Sequence, residues 1–195
     1  MKHAKLLSFF INFIPTSRAQ KYLREKYIIT NNHCNFTIGE YSYSGAKFIA
    51  APGTIIGKYC SIATGTIIGS DIHPLNYVTT SPRLISDYYD RGILERFPKI
   101  IIENDVWIGN NVIIPKSCTI GTGAVIGAGA VVTKDIPPYA VAVGIPARVI
   151  KYRFKPEFID MLLYSKWWNL PNNVLKSLDF TDVQSFCKKV EEYRK

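Results

Sequence analysis

The stretch Ile102 to Val132, IENDVWIGNNVIIPKSCTIGTGAVIGAGAVV, sets an aliphatic residue at every sixth position: Ile102, Ile108, Ile114, Ile120, Ile126 and Val132. Six is neither the 3.6-residue period of a helix nor the alternation of a plain strand, so the chain must turn a corner after each short strand. A parallel β-helix meets that demand. Each aliphatic side chain points inward and stacks on its equivalent one coil away, at the usual strand spacing of about 4.8 Å. Small residues four places on, such as Val106, Val112, Cys118, Ala124 and Ala130, share the interior, and Gly123 and Gly129 stand where corners need a permissive backbone.

Working upstream, the same count runs through Ile38, Ser44, Ala50, Ile56, Ile62 and Ile68, with Cys60 and Thr66 as interior fillers and Gly65 at a corner. Between the two runs the count fails. The segment Ile68 to Pro82, IGSDIHPLNYVTTSP, begins as one more repeat and then reaches a lone histidine, His73. Residues 74–101 carry Pro82, Arg83, Tyr88, Tyr89 and Arg91, do not fit the period, and form a long excursion; long loops in compact domains commonly carry function.

Working downstream, the repeats end after Pro137-Pro138, and residues 143–150 lead out of them. Pro156-Glu157 opens a helical segment through Trp168, which Pro171 stops, and an amphipathic tail from Asp182 to Tyr193 adds another helix. At the other end, Ser17-Arg18-Ala19-Gln20 reads as a capping box opening a short basic helix. The fold class expected is an all-β solenoid with helical caps: a parallel β-helix over residues 31–150 with a loop over 74–101, a basic helical cap over 1–30 and a helical cap over 151–195.

The net charge of +9 lies entirely at the ends: residues 1–30 hold six Lys/Arg against Glu25, residues 31–147 hold eight of each sign, and residues 148–195 hold ten against six. No aromatic or base-reading motif accompanies it, so the pattern argues against a nucleic-acid reader and suits a membrane surface or an anionic glycan better. The apolar run Leu6 to Ile14 is far shorter than the roughly 20 residues a spanning helix needs, and a small-residue cleavage site is poorly formed after it. A cytoplasmic location, with peripheral membrane contact through residues 1–30 as a further option, is the expectation. The four cysteines, Cys34, Cys60, Cys118 and Cys187, lie far apart with no C-x-x-C spacing, which suggests neither a zinc site nor a disulfide framework.

Several segments in order resemble a known family. Gly39-Glu40-Tyr41-Ser42-Tyr43, Ile56 to Ser61, Asp105 to Gly109, Ile126 to Pro138, Gly144 to Arg148 and Trp167-Trp168 with Pro171 look like the hexapeptide-repeat acyltransferases, within them the xenobiotic acetyltransferase branch of the type B chloramphenicol and streptogramin enzymes. The resemblance covers roughly Ile38 to Pro171. It implies a left-handed β-helix, a homotrimer, and acetyl-coenzyme A bound between neighbouring subunits, so that each active site uses two chains.

The resemblance also assigns roles. His73 matches the catalytic base, a role that suits an imidazole with an ordinary pKa of about 6.5. Asn110 and Ala128 match positions lining the pantetheine groove, with Thr133 and Lys134 further along it, and Arg148 and Lys151 match basic positions near the nucleotide phosphates. Trp107 matches a tryptophan that walls the site. Tyr41, Tyr43, Asn76 and Tyr77 are candidate acceptor contacts, and Asp71 is a candidate for orienting the imidazole. No metal is implied; a zinc hydratase on a similar helix would need three converging histidines, and His3 and His33 lie outside the repeats.

His73 followed by Pro74-Leu75-Asn76-Tyr77 looks most like the relatives that O-acetylate surface polysaccharides. The expected activity is therefore direct acetyl transfer to a sugar hydroxyl of a bacterial capsule or lipopolysaccharide. Three alternatives stand beside it: O-acetylation of an antibiotic, N-acetylation of an amino-sugar nucleotide, and a non-catalytic scaffold.

Overall fold

The computed structural model of the chain describes residues 36–69 and 99–194, together with His73, Leu75, residues 77–81 and Leu84. The basic helix expected over the first thirty residues lies outside the described residues, as do Asp71 and Asn76. The hexapeptide pattern becomes short strands on three faces of a coil. The first face holds β1 (Thr37–Ile38), β4 (Ile55–Ile56), β7 (Ile100–Ile102) and β10 (Cys118–Ile120). The second holds β2 (Tyr43–Ser44), β5 (Ser61–Ile62), β8 (Trp107–Ile108), β11 (Val125–Ile126), β12 (Ala140–Val143) and β13 (Arg148–Tyr152). The third holds β3 (Ile49–Ala50), β6 (Ile67–Ile68) and β9 (Ile113–Ile114), and a bridge from Ile113 to Val131 carries it one coil further.

All neighbours on these faces pair in parallel except β12 with β13, which are antiparallel. The excursion after Ile68 does not break the stack. Ile56 still pairs with Ile102, Ile62 with Ile108 and Ile68 with Ile114, so the long segment is inserted between two coils without a change of register. The sixth-position aliphatics are the reason: shifting the register by one would turn every one of them out to water.

Those side chains fill the coil. Ile62, Ile68, Ile102, Ile108, Ile114 and Ile120 are buried, and the expected fillers Cys60, Thr66, Val106, Val112, Cys118, Ala124 and Ala130 are buried beside them. The corners differ from expectation. Gly123 and Gly129 do take positive φ, but the equivalent stations on other coils are Tyr41, Tyr59, Asp105 and Tyr139 at one edge and Lys47 and Asn111 at another, with φ between 55° and 63°. A left-handed non-glycine residue costs about 1 kcal/mol, and the backbone offsets it: Tyr59, Asp105 and Tyr139 donate their N–H groups to the carbonyls of Glu40, Lys58 and Thr122 on the adjacent coil at 3.1, 2.8 and 2.8 Å.

Beyond β13 come α1 (Pro156–Ser165), a short 3-10 turn (Trp167–Asn169), α2 (Asn172–Leu175) and α3 (Val183–Glu192). The helix expected to run through Trp168 instead ends at Ser165, because Lys166 adopts the left-handed conformation with φ 44°. The consequence is that Trp167 turns into a second apolar cluster with Tyr139, Leu162, Leu175, Phe186 and Val190. Pro171 stops the turn and at once opens α2, for which its φ of −57° is already set. Asp182 caps α3 by accepting from the backbone N–H groups of Gln184 and Ser185 at 2.9 and 3.2 Å. Among the described residues no helix is long and apolar enough to cross a membrane.

Candidate active site

His73 follows β6, the last strand before the repeat is interrupted, and its imidazole is exposed. Its Nδ1 lies 2.8 Å from the carbonyl oxygen of Thr80. A carbonyl only accepts, so Nδ1 carries the proton and donates it, and the lone pair falls on Nε2. The ring is thereby set up as a hydrogen-bond acceptor toward solvent. The turn that presents Thr80 is itself tied: the backbone N–H of Ser81 donates to Thr79 Oγ1 at 3.1 Å, and that of Leu84 to the Ser81 carbonyl at 3.1 Å.

The other matched residues divide between two sides of the coil. Trp107 and Tyr43 are outward residues of the second face, both more than half exposed, and the register places Ser61 between them. At the next edge Asn110 and Ala128 sit on successive coils, joined where the N–H of Gly129 donates to the Asn110 carbonyl at 2.8 Å. Gly109 makes their approach possible, since a Cβ there would meet the backbone nitrogen of Ala128 at 2.6 Å. Thr133 and Lys134 follow the third face, as His73 does, two coils further along. Arg148 and Lys151 lie on the exposed β13, with Arg148 Nη1 donating to its neighbour Ala147 at 2.9 Å.

Tyr41 stands apart from these. Its ring stacks on Tyr59, with centroids 5.0 Å apart and planes 12° from parallel, and Tyr59 in turn lies 5.4 Å from Trp167. This gives Tyr41 a packing contact at the edge leading to the C-terminal helices. Tyr77 is half exposed in the segment after His73.

The cysteines are core groups. Cys60 Sγ donates to the Glu103 carbonyl at 2.9 Å, and burial pushes its thiol up to about 11; burial likewise pushes Cys118 up to about 11. Neither presents the thiolate that nucleophilic catalysis requires. Among the described residues no group of three or more His, Cys, Asp or Glu side chains is placed to hold a metal ion.

The sequence reading missed three features of this site. The carbonyl of Thr80 orients the imidazole; a backbone acceptor seven residues away leaves no signature in residue type. Ser61 occupies the gap between two aromatic rings, which only strand register reveals. Gly69, with φ 80°, is the last described residue of its coil before His73, and in the sequence it looks like any other residue following a repeat position.

The bacterial transferase hexapeptide (six repeats) family matches residues 99–134. The chain is 36% identical over 166 residues to a chloramphenicol acetyltransferase of Agrobacterium fabrum, covering 73% of this chain and 79% of that protein. It is 38% identical over 137 residues to a probable macrolide acetyltransferase of Lysinibacillus sphaericus, covering 66% of this chain and 73% of that one. Among solved structures, the polySia-specific acetyltransferase NeuO superposes with a TM-score of 0.50 at 26% identity, covering 82% of this chain and 64% of that chain.

Proposed function

The chain belongs to the hexapeptide-repeat acetyltransferases that include the chloramphenicol acetyltransferases, and from that premise we propose that it transfers the acetyl group of acetyl-coenzyme A to a sugar hydroxyl of a bacterial surface polysaccharide. The observation that carries the reading is the hydrogen bond from His73 Nδ1 to Thr80, because it leaves Nε2 as a proton acceptor. A hydroxyl is a weak nucleophile until its proton is removed. In this reading Nε2 takes that proton as the oxygen attacks the thioester carbonyl, and the resulting imidazolium returns it to the coenzyme sulfur as the C–S bond breaks. Transfer is direct, with no acyl-enzyme.

The division of residues between two sides of the coil supports a site shared between copies of the chain. The three faces enclose a prism, and His73 leaves at the edge opposite the second face, which bears Trp107 and Tyr43. The third face between carries an outward column of Ile49, Ile67 and Ile113, each more than a third exposed, suited to contact with another copy in a homotrimer of left-handed β-helices. Asn110 and Ala128 then line the groove for the pantetheine arm, Thr133 and Lys134 extend it, and Arg148 and Lys151 meet the nucleotide phosphates.

The acceptor assignment draws on Tyr43, Ser61 and Trp107. Two strand spacings separate the aromatic side chains by about 10 Å, with a small residue between, which leaves room for a flat-faced ring against either aromatic surface. Transfer of labelled acetyl from acetyl-coenzyme A to capsular and O-antigen oligosaccharides, located by NMR on the product, tests the reading. A second reading, acetylation of a drug hydroxyl, is favoured by the names of the two relatives compared above. Label on chloramphenicol at a rate equal to that on any glycan would make it the better account.

A further inference from the structure

We propose that Gly69 is a positioning residue for His73, the point at which the backbone is made to leave the coil so that the imidazole reaches Thr80. The inference rests on the reading of His73 as the base.

Gly69 occupies on the second coil the station that Ala51 occupies on the first: Ala51 donates its N–H to the Ile68 carbonyl, and Gly69 donates to the Ile114 carbonyl, both at 2.7 Å. From this shared rung the two coils part. After Ala51 the chain makes its left-handed turn at Gly53, φ 81°, and returns to the first face at β4. On the second coil Gly69 itself takes φ 80°, a conformation Ala51 does not adopt, and the first face is not regained until β7.

Two independent constraints keep position 69 as glycine. Its φ is one that side chains rarely adopt, and a Cβ would lie 2.4 Å from the Cβ of Ala51. Gly53 shares only the first constraint, since a Cβ there meets nothing within 4 Å. His73 comes four residues after Gly69 and is exposed, so packing does not hold its ring. Its orientation depends on where the segment starts, at Gly69, and on where it closes, at the Thr80 carbonyl. Displacing a catalytic group by about 1 Å can cost roughly 100-fold in rate.

Gly53→Ala is thus a matched control for Gly69→Ala, and Ala51→Gly in the Gly69→Ala background removes the clash while keeping the strained φ. The chain has three histidines, which makes selective ¹⁵N labelling of the rings practical. The Nδ1–H signal of His73 is read on the protein alone, without an acetyl-accepting substrate; turnover is read on polysialic acid oligosaccharides and on chloramphenicol. Gly69→Ala is expected to lose the Nδ1–H signal and to lower kcat at least about 10-fold, with KM for acetyl-coenzyme A within about twofold. Gly53→Ala should retain both signal and kcat, and Ala51→Gly/Gly69→Ala should recover part of each.

A folded Gly69→Ala enzyme with wild-type kcat and an intact signal would overturn the inference, as would an equal loss in Gly53→Ala. Should Gly69→Ala not fold, the double variant carries the comparison, and wild-type behaviour in it would likewise place no demand on Gly69. His73→Ala at full activity would remove the base assignment itself and this inference with it, whereas an inactive His73→Ala beside an unaffected Gly69→Ala would remove the inference alone.

Discussion

His73 and Thr80 are joined by a 2.8 Å hydrogen bond from an imidazole nitrogen to a backbone carbonyl, and that bond decides which nitrogen of the ring can accept a proton. The neutral ring should be the Nδ1–H tautomer, visible as a protonated Nδ1 in ¹⁵N-labelled protein. Protonation leaves the Thr80 bond intact but consumes the Nε2 lone pair. A ring whose Nε2 lone pair is the proton acceptor should lose activity when that nitrogen is blocked, so His73→Gln, which keeps a side-chain donor but has no basic nitrogen, should lower kcat by at least about 10².

The interval between the two residues should matter more than its side chains. Val78 is fully exposed, so Val78→Ala should keep kcat within about twofold, whereas deleting Val78 shortens the path from His73 to Thr80 and should lower kcat at least about 10-fold. Steady-state kinetics on the two variants, with thermal unfolding as a check on folding, separates length from chemistry.

Arg153 and Asp105 supply a stability test. Arg153 Nη1 lies 3.2 Å from Asp105 Oδ2 and donates to the Gly123 carbonyl at 2.7 Å, and its guanidinium covers the rings of Tyr139 and Phe154 at 5.3 and 5.4 Å. Even so, burial outweighs the arginine and holds the Asp105 carboxyl above its usual range. The charged form is thus a burden on the fold at neutral pH, and Asn tolerates a left-handed corner well. Asp105→Asn should leave stability unchanged or slightly raised. Arg153→Ala should cost about 1–2 kcal/mol, since both partners retain about a third of their exposure, and the loss should shrink in the Asp105→Asn background. Chemical denaturation of the three variants tests the order.

The buried thiols predict a loss of stability in alkali. Cys60 and Cys118 ordinarily ionise near pH 9, and burial holds both up to about 11 in the fold. The contribution to the folded state from the raised values is fully present below pH 9 and is lost progressively as the pH rises from 9 to 11. Tm should fall across that window, and Cys60→Ser/Cys118→Ser should flatten the fall whatever it does to the absolute Tm.

The coil was legible because its driving force is written at fixed spacing. Ile102, Ile108 and Ile114 are each six residues apart and each buried, and the fillers four places on follow from the same geometry. The corners were less legible. Tyr59 and Asp105 hold left-handed backbones that residue type would assign to glycine, and the carbonyls that steady them belong to another coil. Lys166 ends α1 by the same kind of tertiary override. His73 could be picked out as the place where the period fails, but Thr80 could not, because its contribution is a main-chain oxygen.

The most direct measurement is coenzyme A thiol release by wild-type protein and His73→Ala, run in parallel on capsular and O-antigen oligosaccharides and on chloramphenicol. The account predicts turnover on a glycan that exceeds turnover on the drug and falls by about 10²–10⁴ in the variant. Wild-type rates in His73→Ala, or turnover confined to the drug, would contradict it.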